Sequence, residues 1–428
     1  MAEGHTLTEL DSGVRVVTER VPSVRSVALG MWVRVGSRDE ADAEAGISHF
    51  LEHMLFKGTP TLTAEQIAQE FDGLGAEVNA ATSKEATVLH AHFLDEHLDR
   101  AFDVMGDMLL RTTYADLESE REVVLEEIAM YEDEPQDKVH DVLSHAIFGD
   151  HPLGRPVIGR GDVVGALTVD TVSSYHDARY VPGAIVVAAA GNLDHATIER
   201  LAEKCLANES RNGTPASPVP APGRRGQRVV FHIKETEQYH VCLGGEGIPR
   251  NDERRFALSI LDAVMGGSTS SRLFQEVREK RGLAYAVYSW ASQYQDTGQV
   301  GVYVGTREDN VVQALEVIGT ELERLRQDPV GDDELRRARE HVKGRLALSM
   351  ESTASRMNRL GRSVLMDTPL LTLDETFERL EAVTCDDLEQ LARELYPGAG
   401  MSVAAIGRDE SLFRGALGPV GAELSDAA

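Results

Sequence analysis

Cysteine is scarce. Cys205, Cys242 and Cys385 are the only three in 428 residues, they lie far apart and none forms a CxxC pair, which argues against a disulfide framework and against a thiolate metal site. Long apolar runs are absent too, so the sequence offers no membrane helix. Basic charge is also short: 43 Lys and Arg face 71 Asp and Glu, a formal net charge of −28. A nucleic-acid partner needs a basic face and is excluded on that ground. The plain reading of the acidity is solubility, and the sharper one is an acidic cavity that attracts basic peptides. The N-terminal stretch "MAEGHTLTELDSGVRVVTERVP" has neither a basic start followed by an apolar segment nor an Arg/Ser-rich, acid-poor composition, so the expected location is cytoplasmic.

The length exceeds one ordinary core, which predicts two or more domains. Residues 209–228 include "ESRNGTPASPVPAPGRRG", with Pro215, Pro218, Pro220 and Pro222 and no hydrophobic period, and read as a semi-extended linker. It separates an N-terminal domain, 1–208, from a C-terminal domain, 229–428. The two share a pattern: "ATVLHAHFLDEHLDRAFDVMGDML" (86–109) and "GQVGVYVGTREDNVVQALEVIGTEL" (298–322) each read as strand, short connection and amphipathic helix. The helical stretches 117–128 and 335–346 match in the same way. The expected fold class is therefore α+β, two duplicated domains in which a mainly antiparallel sheet is covered by helices. The tail "GPVGAELSDAA" is expected to be loose.

The stretch "HFLEHMLFKGT" (49–59) places two histidines and a glutamate inside an apolar run. On a helical wheel Ile47, Phe50, Leu51, Met54 and Leu55 share one face, while His49, Glu52, His53 and Phe56 share the other. Gly46 before the run and Gly58 and Pro60 after it are start and stop signals. The histidines form a second face, one turn apart, able to direct two imidazoles at one point beside a carboxylate. That is what a zinc ion takes from a helix, and His-x-x-Glu-His is the inverse of the commoner His-Glu-x-x-His order. On its own the pattern is short, and two hydrogen-bonded histidines on a half-buried helix would read the same.

A catalytic zinc site needs a third protein ligand. In "LESEREVVLEEIAMYEDEP" (117–135) Glu120, Val123, Val124, Glu127, Ile128 and Tyr131 fall on one side of the wheel, with Glu118, Glu122 and Glu126 opposite. A buried carboxylate is costly unless paired or metal-bound, which makes Glu127 the candidate ligand or, more plainly, a salt-bridge partner. A rival pair, His90 and His92 in "VLHAHFL", shares a strand face without a suitably spaced carboxylate and reads as a solvated face. The second half has no counterpart of the histidines, since "FALSILDAVMGG" (256–267) contains none.

With these residues and "HPLGRPVIG" (151–159), the chain resembles the pitrilysin family of zinc peptidases, closest to processing-peptidase-like bacterial members that are similar to the β-subunit of mitochondrial processing peptidase. The resemblance implies a clamshell-like chamber and one zinc ion per chain held by His49, His53 and Glu127. It makes Glu52 the general base and Glu120 a supporting carboxylate. It also assigns Asn79 and Ala80 in "GAEVNAATSKE" to a substrate-binding edge strand, although relatives often carry a more glycine-rich turn there. In "REKRGLAY" it makes Arg278 and Tyr285 a substrate-binding Arg/Tyr element. The implied activity is zinc-dependent endopeptidase action on small or unfolded, basic peptides, and since one chain carries both elements the resemblance favours a self-sufficient homodimer. The competing readings are a non-catalytic scaffold subunit and a zinc-dependent peptide-binding subunit of a heterodimer. The complete set His49, Glu52, His53 and Glu127 argues against the scaffold.

Overall fold

The computed structural model describes residues 4–206, 217–223, 226–328, 330–397 and 400–420. The linker positions 207–216 and 224–225 and the tail from 421 lie outside the described residues. The fold is α+β and contains two mainly antiparallel sheets, each covered by helices.

The first sheet is built from β1 (His5–Glu9), β2 (Arg15–Arg20), β3 (Ser26–Val33), β4 (Glu77–Thr82), β5 (Thr87–Leu94) and β6 (Ile185–Gly191), in the order β1-β2-β6-β3-β5-β4. Only β2 and β6 pair in parallel. Strand β6, "IVVAAAG", is apolar throughout because both of its faces are buried. Ile185, Val187 and Ala189 join Leu29, Met31 and Leu89 in a core with Phe50, Leu51, Phe102 and Met105. Val186, Ala188 and Ala190 face the other way, onto Met357, Leu360 and Val364 of helix Thr353–Leu365.

The second sheet repeats the plan with β7 (Val229–Ile233), β8 (Tyr239–Gly247), β9 (Ala284–Gln293), β10 (Gly298–Thr306) and β11 (Ser402–Gly407), ordered β7-β11-β8-β10-β9. Again one pair, β7 with β11, is parallel. One face carries Val241, Leu243, Val300 and Val302 against Leu258, Leu261 and Ile318. The other carries Cys242, Tyr303, Ala404 and Ile406 against Val139, Val142, Leu143 and Phe148 of helix Pro135–Phe148.

The compact units therefore differ from successive halves of the chain. The first comprises Met1–Ala129, Pro156–Val219 and Leu348–Thr372, and the second Met130–Arg155, Pro220–Ala347 and Leu373–Ala428. A boundary placed at the linker assigns helices Pro135–Phe148 and Thr353–Leu365 by chain order, whereas each one fills the second face of the other half's sheet.

The helix Thr353–Leu365 lies close enough to its sheet that a Cβ built on Gly361 would stand 2.1 Å from Trp32 Nε1. Gly361→Ala would gain about 1 kcal/mol of helix propensity, but the overpacking costs about 1–3 kcal/mol. The urea midpoint is expected to fall. An unchanged or higher midpoint would mean that the indole shifts without cost.

A half-buried carboxyl, Asp262 on helix Arg255–Met265, borders the second core and accepts a hydrogen bond from Ser289 Oγ at 2.6 Å. Burial pushes it up to about 6, against the Ser289 hydrogen bond and the Arg345 charge. A carboxyl raised on folding stabilises the fold when protonated. That stability is complete below the unfolded value of about 4 and is lost as pH rises through about 6. Asp262→Asn should flatten this limb and leave the protein about 2–3 kcal/mol more stable at pH 7 than the parent. Equal urea midpoints for the two proteins at pH 7 would contradict this.

Candidate metal centre

The histidine helix Ile47–Met54 begins at Gly46, whose φ of 102° suits glycine, and a Cβ there would meet Gly159 Cα at 2.9 Å. The buried Glu40 carboxylate ties down this end, accepting the Gly46 N–H at Oε2 and the Ser48 N–H at Oε1, both at 2.9 Å. It satisfies two orphan donors and complements the positive end of the helix dipole. Ile47, Phe50, Leu51, Met54 and Leu55 are fully buried. That anchorage turns the half-buried face of His49, Glu52 and His53 toward helix Leu117–Asp133.

On that second helix Leu117, Glu120 and Val124 are buried and Glu127 is half-exposed. Val123 departs from the wheel expectation at 52% exposed. The buried arc centres nearer Val124 than Glu120, and Val123 lies about 100° from Val124.

His49 Nε2 stands 3.7 Å from Glu127 Oε1, and His53 Nε2 stands 3.4 Å from Glu127 Oε2. One ligand atom from each of the three residues lies within 4.8 Å of the others. Donors about 2.0–2.1 Å from a tetrahedral zinc stand about 3.3 Å from one another. The spacings fit a shared ion better than direct hydrogen bonds. Among the described residues this is the one His/Cys/Asp/Glu group with that convergence.

Protonation states agree with ligation. Burial, and then the His53 charge, push His49 down to about 4, so its imidazole is neutral at pH 7. His53 Nδ1 donates to Glu120 Oε1 at 2.8 Å, which orients the ring with Nε2 toward Glu127. Glu120 also pairs with Lys57 Nζ. Burial pushes the Glu120 carboxyl up, but the hydrogen bonds from Lys57 and His53 outweigh it and hold the group below its ordinary value. His2Glu with an ionised carboxylate behind one imidazole is a donor set that fits zinc.

Glu52 lies beside the ligands, and its Oε2 accepts a hydrogen bond from Thr82 Oγ1 at 2.5 Å. Burial raises the Glu52 carboxyl above its ordinary value, against the Thr82 hydrogen bond and the His53 charge. Asn79 and Ala80 sit on β4, an edge strand paired only with β5, and Asn79 Oδ1 accepts the Ala80 N–H at 2.9 Å. In the second unit the Arg278 guanidinium stacks 4.5 Å from the Tyr285 ring centre, with Tyr285 78% exposed. His90 and His92 share a face of β5, and His92 Nε2 meets Thr353 Oγ1 at 3.3 Å. Glu40, Lys57 and Thr82 were outside the sequence reading. Lys57 follows His53 by four residues, just past the end of the helix, whereas Glu40 and Thr82 reach the site through tertiary contacts.

Residues 15–161 match the family model described as Insulinase (Peptidase family M16), and residues 166–342 match that described as Peptidase M16 inactive domain. The chain is 44% identical over 408 residues to an uncharacterized zinc protease of Streptomyces coelicolor, covering 94% of this chain and 89% of that protein. It is also 44% identical over 387 residues to an uncharacterized zinc protease of Bacillus subtilis, covering 90% and 94%. A crystal structure of a protease from Helicobacter pylori shares the fold, with a TM-score of 0.89 at 22% identity over 95% of this chain and 99% of that one. No helix among the described residues is long and apolar enough to cross a membrane. With relatives so similar over nearly its whole length, this chain belongs to peptidase family M16, the insulinase/pitrilysin-like zinc proteases.

Proposed function

We propose that this protein is a zinc-dependent endopeptidase that hydrolyses small or unfolded, basic peptides, with Glu52 as general base and one zinc per chain. The observation that carries the reading is the convergence of His49, His53 and Glu127 with the Glu52 carboxylate beside them. Zinc bound there supplies Lewis-acid polarisation and a water of roughly neutral pKa.

The chain's own residues do the rest. Glu52, with its raised carboxyl, accepts the proton from the attacking water and returns it to the leaving amine. Glu120, held ionised by Lys57, keeps the His53 ring oriented. The open edge of β4 at Asn79 and Ala80 takes the substrate backbone as an added strand, which binds extended peptides with loose sequence preference. We assign Arg278 and Tyr285, stacked on one another in the second unit, to binding of the peptide backbone. Because one chain carries both the zinc motif and this pair, a homodimer is the working assembly we favour.

The net charge of −28 supports a preference for basic substrates. The test is cleavage of a quenched, arginine-containing unfolded peptide by the zinc-loaded chain, its loss on chelation and its return with zinc. Activity indifferent to chelation would overturn the zinc reading. Rates insensitive to salt and to substrate basicity would remove the charge preference alone.

A further inference from the structure

A glutamate that acts as a base must be aimed, and nothing in its own chemistry aims it. Its terminal torsion is broad, so a carboxylate at the end of a half-buried helix can turn through many orientations. Misplacing a reacting group by about 1 Å costs about 10²-fold in rate. The Glu52 carboxylate is held from outside its helix by Thr82, whose hydroxyl donates to Oε2 at 2.5 Å and whose backbone N–H also reaches the carboxylate.

Thr82 is itself fixed. It is the last residue of β4, paired with Thr87 of β5, and strand alternation puts it on the same face as Val78 and Ala80. Glu52 thus touches the strand that also carries Asn79 and Ala80. One rigid element would both receive the peptide backbone and orient the base.

We propose that Thr82 is a positioning residue for Glu52: its hydroxyl engages Oε2 and sets the plane of the carboxylate that takes the proton. The inference rests on Glu52 being the base. A peptide added along β4 would lie on the strand that carries the Thr82 contact, through backbone groups that the hydroxyl contact does not use. The effect belongs to turnover and not to binding, because the hydroxyl is engaged with Glu52.

The experiment compares the full, zinc-loaded chain with Thr82→Val, Thr82→Ser and Glu52→Gln on the quenched arginine-containing peptide, with zinc affinity measured for each. Valine keeps the shape and suits a strand but removes the hydroxyl. Thr82→Val is expected to lower kcat by about 10–100-fold while KM and zinc affinity stay within about twofold of the parent. Thr82→Ser is expected to recover kcat to within about threefold, because it restores the donor. The proposal is overturned if Thr82→Val keeps the parent's kcat, if it raises KM alone, or if serine is as impaired as valine. A valine variant that loses zinc or folds poorly also overturns it, since the hydroxyl would then serve the structure and not the aim of Glu52. Glu52→Gln separates the two levels. If it turns over like the parent, the assignment of the base fails; if it is inactive while Thr82→Val is normal, only the positioning role fails.

Discussion

Glu52→Gln is expected to lower kcat by about 10²–10⁴-fold with zinc still bound, the contribution of a positioned general base. Glutamine keeps the length and volume of the side chain and can still meet the Thr82 hydroxyl, but its amide cannot accept the water's proton. None of the three converging donors is touched, so zinc affinity should stay near that of the parent. KM should change little, because glutamine keeps the contact with Thr82 and the base acts on a proton and not on the peptide backbone. Metal content and turnover must be measured on the same preparation. Loss of both together would move Glu52 from proton transfer to metal retention, and retention of both would leave the family's active centre without its base in this chain.

The histidine helix was legible because two surfaces were written on one short stretch. The five apolar positions are fully buried and the polar three face the second helix. A buried carboxylate on an apolar arc was similarly visible at Glu120, which is buried and doubly partnered. Thr82 and Glu40 left no such mark. A threonine ending a strand and a glutamate in a loop are common, and their partners lie 30 and 6 or more residues away, so only tertiary placement distinguishes them.

The duplication was legible in strand and helix order, and the two sheets do share one ordering. The exchange of helices was not. Strand β6 is apolar on both faces, which demands a second covering layer, but an apolar face does not name the helix that covers it. Chain order points to Pro135–Phe148; the covering helix is Thr353–Leu365, far along the sequence. Gly30 and Gly361 show how specific the choice is. A Cβ at Gly30 would stand 2.4 Å from Met357 Sδ, and one at Gly361 would strike Trp32. Close approach at these two points selects this helix, and neither glycine announces it locally.

Glu127→Gln, set beside Glu126→Gln, tests the third ligand at one-residue resolution. Glu127 approaches both imidazoles, at 3.7 Å from His49 Nε2 and 3.4 Å from His53 Nε2. Its neighbour Glu126 is exposed, about 100° further round the helix. Glutamine at 127 offers a neutral oxygen where an ionised one completes the donor set, so zinc affinity should fall by more than the 10–100-fold typical of an outer-shell change (roughly). Hydrolysis at limiting zinc should fall with it, and excess zinc should restore part of the rate, since His49, His53 and Glu52 remain in place. Glu126→Gln removes the same formal charge from the same helix and should shift zinc affinity and stability by no more than about 0.5 kcal/mol. Equal losses in the two variants would mean that zinc responds to the general negative field of this helix. A loss confined to Glu127 would mean that zinc is held through one directed carboxylate in a helix otherwise rich in solvated acids.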